Sequence, residues 1–288
     1  MQAQVPPRKR TNVRLLHRAI QATFRTLTPV PSLASMLAAR LWMIPPRAPI
    51  RPEQEAWLAK AERRDVDAGG TKVATYAWGR GPAVLLMHGW GGHAGQLTGF
   101  VPGLVEAGHR VVAYDGPRHG ATQGGTPSLL SFSESAQAVA GREGGLSAVI
   151  AHSMGASAAA FSMSRGLEAD RAVFLAPAAT MSGAAERFAK MVRLDPRALE
   201  QMRRRFEREL NIPWEELDVV RSAHQMRSAL LVIHDESDRD VPFSDGDAIA
   251  RAWPTGSLVT TTGLGHHRLL RDADVVRRTI DFVSAGRP

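Results

Sequence analysis

Ala151-His152-Ser153-Met154-Gly155 decides how the rest of this chain is read. Ser147-Ala148-Val149-Ile150 before it has the character of a short buried strand. Ala156-Ser157-Ala158-Ala159-Ala160 after it suits the first turns of a closely packed helix. On a sharp turn from strand to helix, a serine hydroxyl is lifted out of the sheet, and small neighbours let the two backbones approach. That arrangement is a nucleophile elbow. Such five-residue patterns also occur by chance, and the first position here is Ala151 where Gly is usual. The surrounding sequence must therefore supply the partners that a nucleophilic serine needs.

A length of 288 residues suits one domain with additions, and 44% hydrophobic residues are enough for a substantial core. There is no cysteine, which excludes disulfides, thiolate metal sites and a cysteine nucleophile. Nine of the 36 Lys and Arg and none of the 28 Asp and Glu lie in residues 1–52. The remainder, with 27 basic and 28 acidic residues, is nearly neutral. The net charge of +8 thus belongs to an N-terminal extension, and nucleic-acid binding, which is not expected, would have to reside there.

Arg14, Arg18 and Arg25 interrupt any apolar core that a secretory signal would need, so a cytoplasmic location is expected. The longest apolar stretch, Leu33 to Ile44, contains Arg40 and is too short to span a bilayer. Val13, Leu16, Ile20, Phe24 and Leu27 fall at helical spacing, with Arg14, Arg18, Gln21 and Arg25 on the other face. The preferred reading is a helix docking its stripe on the body. Peripheral contact of residues 1–52 with an anionic membrane surface is the second, and an organellar transit peptide the third.

From about residue 63 strands and helices alternate. Lys72–Trp78, Ala83–Met87, Arg110–Tyr114, Ala172–Leu175, Ala229–Ile233 and Ser257–Thr261 join the elbow strand as candidates, most of them short apolar runs separated by helix-length segments. This predicts an α/β fold with a mostly parallel sheet. About fifty residues between Pro177 and Ser228 hold no strand candidate. Within them Asp195-Pro196 opens a helix over Arg197 to Leu210, and Arg203-Arg204-Arg205 alternates with Glu200, Glu207 and Glu209 as a solvated face would. The expected division is a basic helical extension over residues 1–62 and a domain over 63–288, with a helical cap over the active site at about 178–228. Met181, Met191 and Met202 are either lining for an adaptable pocket or packing between cap and core.

After strand Ala229–Ile233 comes His234-Asp235-Glu236-Ser237-Asp238-Arg239-Asp240-Val241-Pro242, offering three aspartates. After Ser257–Thr261 comes Thr262-Gly263-Leu264-Gly265-His266-His267, offering two histidines. A serine, then an acid, then a base is an acyl-transfer triad in chain order. With His88-Gly89-Trp90-Gly91-Gly92 and Asp115-Gly116-Pro117-Arg118-His119-Gly120, these motifs resemble a bacterial α/β-hydrolase of the serine esterase and lipase type over roughly residues 63 to 288. Some lipases of that type also carry Ala at the first elbow position.

The resemblance implies a Ser153-Asp238-His266 triad, with Asp235 and Asp240 as competitors for the acid and His267 for the base. It also implies an oxyanion hole from the backbone N–H groups of Trp90 and Met154. His88, Gly89, His152 and Gly155 would then be structural, His88 bracing its loop and His152 the elbow, and His119 and Asp115 would be loop architecture. It implies a small-molecule ester substrate and neither metal nor organic cofactor. Two other functions compete. Gly89-Trp90-Gly91-Gly92-His93-Ala94, with Asp115 about twenty residues on, satisfies a loose dinucleotide fingerprint of an oxidoreductase, although Pro102 interrupts the helix it requires. A non-catalytic ligand-binding member of the fold is the other, against which the intact Ser, Asp and His argue.

Overall fold

The protein is described here from a computed structural model covering residues 10–285. By packing, it divides into two units, Met1–Trp42 with Ser182–Trp214 and Met43–Met181 with Glu215–Pro288.

The second unit is built on one eight-stranded sheet. Its strands are β1 (Glu62–Ala68), β2 (Thr71–Trp78), β3 (Ala83–Met87), β4 (Arg110–Tyr114), β5 (Leu146–His152), β6 (Ala169–Leu175), β7 (Ala229–Asp235) and β8 (Gly256–Thr261). They lie in the order β1-β2-β4-β3-β5-β6-β7-β8. The pairs β1–β2 and β2–β4 are antiparallel and all others parallel. Strands buried on both faces read as continuous apolar runs, and every residue of β3 is buried. The edge strand β1, Glu-Arg-Arg-Asp-Val-Asp-Ala, buries only Val66 and Ala68, so its charged sequence carries no apolar signal.

After β3 the chain steps to β4 on one side and then to β5 on the other. In open parallel sheets this reversal leaves a crevice beyond the carboxyl ends of the two central strands. The loop His88–Gly92 follows β3 and Ser153 follows β5, so both emerge there. The helix after β5, Met154–Ser164, packs against helix Leu129–Glu143. Its residues Gly155 through Ala160 are all buried, and only side chains this small let it lie so deep.

The first unit is helical, with helices Arg10–Thr26, Pro31–Trp42 and Pro196–Leu210 and most of Met181–Val192. Pro196 occupies the first turn of its helix, and the Asp195 carboxylate caps it by accepting from the Arg197 N–H at 2.9 Å. Arg203 reaches both Glu200 and Glu207, and Arg205 reaches Glu209. Trp42 meets Phe188 edge to face at 5.1 Å. The stripe of the first helix is covered at one end only: Phe24 is 2% exposed and Leu16 62%. Val13 lies outside the described side chains. The three methionines part company, Met202 being buried and Met191 exposed. Among the described residues no helix is long and apolar enough to cross a membrane.

Candidate active site

Ser153 sits at the junction of β5 and its helix with φ 54° and ψ −126°. A side chain in this region is strained by about 1–3 kcal/mol, and the surroundings must hold it there. They do so through the Ser153 N–H, which donates to Leu175 O at 3.0 Å, and the Ser153 carbonyl, which accepts from the Ala156 N–H at 2.9 Å. A Cβ on Gly155 would come within 2.4 Å of His88 O, and one on Gly89 within 2.9 Å of Ser153 Cβ. Both positions admit only glycine. Ala151, in contrast, is fully buried in β5, and its Cβ is accommodated between the neighbouring strands.

His266 Nε2 lies 3.0 Å from Ser153 Oγ, and His266 Nδ1 lies 2.7 Å from Asp238 Oδ2. The carboxylate can only accept, so Nδ1 carries the proton and the Nε2 lone pair faces the serine hydroxyl. Asp238 Oδ1 accepts from the Asp240 and Val241 N–H groups at 2.8 and 2.9 Å. Buried His234 adds a contact, its Nε2 being 3.4 Å from Asp238 Oδ2 and 3.2 Å from Val241 O. Both neighbours are acceptors, so His234 carries its proton on Nε2. Burial pulls the Asp238 carboxyl upward, but His234, His266 and the Val241 N–H outweigh it and hold it well below the usual carboxylate range.

The other two aspartates stand elsewhere. Asp235 accepts from Ser237 N–H and Oγ on one oxygen and from Thr261 Oγ1 and Leu264 N–H on the other. It ties the loop carrying His266 to the end of β7. Burial works against its charge, and the hydrogen bonds led by Ser237 outweigh burial and lower it. Asp240 is exposed, 3.9 Å from the equally exposed His267. His152 donates from Nε2 to His266 O at 3.0 Å, and burial with His266 and His267 alongside pushes its pKa well down.

The loop after β3 is pinned from behind. His88 Nε2 accepts from the Gly116 N–H at 3.0 Å, and burial together with His119 depresses its pKa to about 3. His119 Nε2 accepts from the Gly91 N–H at 2.9 Å. Asp115 accepts from the N–H groups of Ala94 and Ala121 and from the Tyr76 hydroxyl. It is thereby engaged within its own loops, and Ala94–Phe100 is a 3₁₀ turn in place of the helix a dinucleotide would need. Among the described residues, the N–H groups of Trp90 and Met154 donate to no protein acceptor.

The front of this loop meets a segment that carries no motif. Ala48 N–H donates to Gly91 O at 3.1 Å, and a Cβ on Gly91 would strike Pro46 at 2.6 Å. This strap and the helix Pro52–Leu58 after it wall a cleft of about 530 Å³ that reaches Ser153 and His266. Arg47, Arg51, Trp57 and, from beyond His266, Arg271 also line it. The sequence reading missed these residues. The prolines at 45, 46 and 49 do mark an extended stretch, but nothing local says where it lies. His152, His266 and His267 bring three ring nitrogens within 4.8 Å of one another, and Asp238, Asp240 and His266 bring two carboxylate oxygens and a ring nitrogen equally close, both spacings open to a transition metal. His266, shared by both groups, already has each nitrogen engaged.

A 42-residue stretch is 55% identical to a pimeloyl-[acyl-carrier protein] methyl ester esterase of Methylococcus capsulatus, covering 15% of this chain and 16% of that protein. In structure the chain resembles a bromoperoxidase from Bacillus anthracis, with TM-score 0.60 and 16% identity over 77% of this chain and 99% of that one. It also resembles an esterase from Rhodococcus sp. ECU1013, with TM-score 0.60 and 16% identity over 77% and 98%. At these identities the two structures share the fold alone. The sequence model of the alpha/beta hydrolase family matches residues 83–279, from β3 into the last helix, and the chain belongs to that family.

Proposed function

We propose that the protein is a serine hydrolase that cleaves carboxylic esters through an acyl-enzyme, with Ser153 as nucleophile, His266 as base and Asp238 as its orienting acid. The observation that carries this reading is the unbroken chain from Ser153 Oγ through both nitrogens of His266 to Asp238, at 3.0 and 2.7 Å. The short match to a methyl ester esterase supports an ester as substrate.

In the first step Ser153 Oγ bonds to the ester carbonyl carbon while its proton passes to His266 Nε2. The resulting imidazolium faces ionised Asp238. The carbonyl electron pair moves onto oxygen, where the N–H groups of Trp90 and Met154 receive it. Each donor of this kind is worth about 10²–10³ in rate. Collapse breaks the bond to the alkoxy oxygen, which leaves with the proton from His266. A water then repeats the sequence on the acyl-serine, releasing the acid and restoring Ser153.

The test is covalent capture. A fluorophosphonate probe should add to Ser153 as judged by intact and peptide mass, and Ser153→Ala should abolish both the adduct and p-nitrophenyl ester hydrolysis. Binding of ligands with no adduct would point instead to a non-catalytic member of the fold.

A further inference from the structure

We propose that the ester taken by this cleft bears an anionic group, such as a carboxylate, remote from the bond that is cut, held by Arg47, Arg51 and Arg271. The inference rests on the serine hydrolase reading and adds the chemical class of its substrate.

Three arginines from two separate parts of the chain line the same cleft as Ser153 and His266. Among the described residues the only acid lining it is Glu53, which lies 3.8 Å from Arg51. Among the described residues neither Arg47 nor Arg271 has a carboxylate partner. Some arginines of the same unit are neutralised in pairs of acids: Arg110 lies between Glu62 and Glu143, and Arg277 between Asp274 and Asp281. The unit that holds the cleft, residues 43–181 with 215–288, carries 21 Lys and Arg against 23 Asp and Glu, so three arginines on one cleft are a local excess of positive charge.

Asp238 and Asp235 offer these arginines no free acceptor. Asp238 and Asp235 sit behind His266, with their oxygens occupied by donors of the protein. Arg47 is held in place, because Ala48, one Cα step of about 3.8 Å away, is hydrogen-bonded to the loop that contains Trp90. Trp57, Trp90 and Leu270 line the same cleft and supply apolar wall. A cleft lined by one sign of charge beside apolar walls concentrates ligands of the opposite sign and speeds their entry by about 10–10³. A guanidinium fork also fits a planar carboxylate or a phosphate in two-point fashion, which gives orientation as well as attraction. An ester with a short apolar body and a charged end matches these features together.

The experiment compares methyl esters with and without a free carboxylate, the monomethyl and dimethyl esters of succinate, glutarate and adipate, with rates taken per ester bond and a fluorophosphonate probe run in parallel. At low ionic strength kcat/KM for the best monoester should exceed that for its diester by about tenfold, the low end for a like-signed cleft. The ratio should shrink as salt is raised to 0.5 M, which is on the order of the range where exposed charges are screened. Arg47→Gln combined with Arg271→Gln should bring it toward one, with unfolding curves to show that the variant is folded. Diesters cleaved as well as monoesters, or a ratio indifferent to the double substitution, overturns the inference. So does a Ser153 that is labelled while neither ester turns over, because the nucleophile then works and the substrate class is wrong. A Ser153 that takes no label overturns the hydrolase reading itself, and this inference with it. Inhibition of monoester cleavage by glutarate but not by inorganic phosphate assigns the anion as carboxylate, and the reverse assigns it as phosphate.

Discussion

Asp238→Asn isolates the role of the buried acid, and its effect can be worked from the contacts. One oxygen of Asp238 receives two backbone N–H groups and the other faces His266 Nδ1. Asparagine has one acceptor end and one donor end, so only two orientations exist. Pointing its NH₂ at the Asp240 and Val241 N–H groups would set both donors against a third and leave the half-buried Val241 N–H without an acceptor, at about 1–3 kcal/mol. The asparagine therefore keeps its oxygen on the backbone and turns its NH₂ to His266. Nδ1 must then accept, the ring proton moves to Nε2, and no lone pair remains for the Ser153 hydroxyl. Loss of the right tautomer costs about 10⁴ in kcat where such triads operate, equivalent to about 5.5 kcal/mol. Steady-state hydrolysis of p-nitrophenyl butyrate, normalised to folded protein by circular dichroism, measures it. A variant within tenfold of wild type refutes the reasoning, and so does Asp235→Asn if its kcat falls as far.

Three further perturbations follow. Replacing Ser153 by Ala keeps the strained φ of 54°, whereas Gly relieves it, so Ser153→Gly should be more stable than Ser153→Ala by about 1 kcal/mol in urea unfolding; equal stabilities would mean the elbow stores no strain. Gly155→Val places a branched side chain 2.4 Å from His88 O at its first carbon and should lower stability by about 3 kcal/mol or prevent folding, measured by thermal unfolding; an unchanged melting temperature would contradict the close approach of helix and loop. Asp235 is held below its ordinary pKa when folded, so its charge contributes stability that is present above the unfolded carboxylate pKa of about 3.9 and is lost as pH falls through the folded value. The destabilisation caused by Asp235→Asn should therefore be larger at pH 6 than at pH 2.5 in thermal unfolding, and a gap that does not change with pH would show that hydrogen bonding to the charged form is not the source.

What the sequence disclosed follows from the range of the forces involved. β3, β4, β6 and β7 were legible from their buried apolar runs, and the serine, acid and base follow β5, β7 and β8 in chain order. β1 was not, because five exposed charged residues hide a strand held by its pairing with β2. The fastening of the site was hidden for another reason. His119 meets Gly91 across 28 residues, Asp235 meets Leu264 across 29, and the strap meets the loop after β3 across 43. Each bond joins a common polar group to a backbone atom, and neither partner has a sequence that announces the other. His234 escaped notice because it reads as the first residue after a strand, and only the fold, which extends β7 to Asp235, turns its ring onto Asp238.

The strap has a consequence for how this protein can be shortened or spliced. The motifs begin at β3, and a cut at residue 63 would keep every strand from β2 onward together with Ser153, Asp238 and His266. It would also strip Pro46 and Ala48 from Gly91, opening one wall of the cleft and freeing the loop on which Trp90 rides. Such a fragment would retain Ser153 and His266 while losing one wall of the cleft that reaches them. For this chain the smallest working piece is larger than the stretch that carries the recognisable motifs, and grafting a different leading segment onto β1 amounts to changing the binding site.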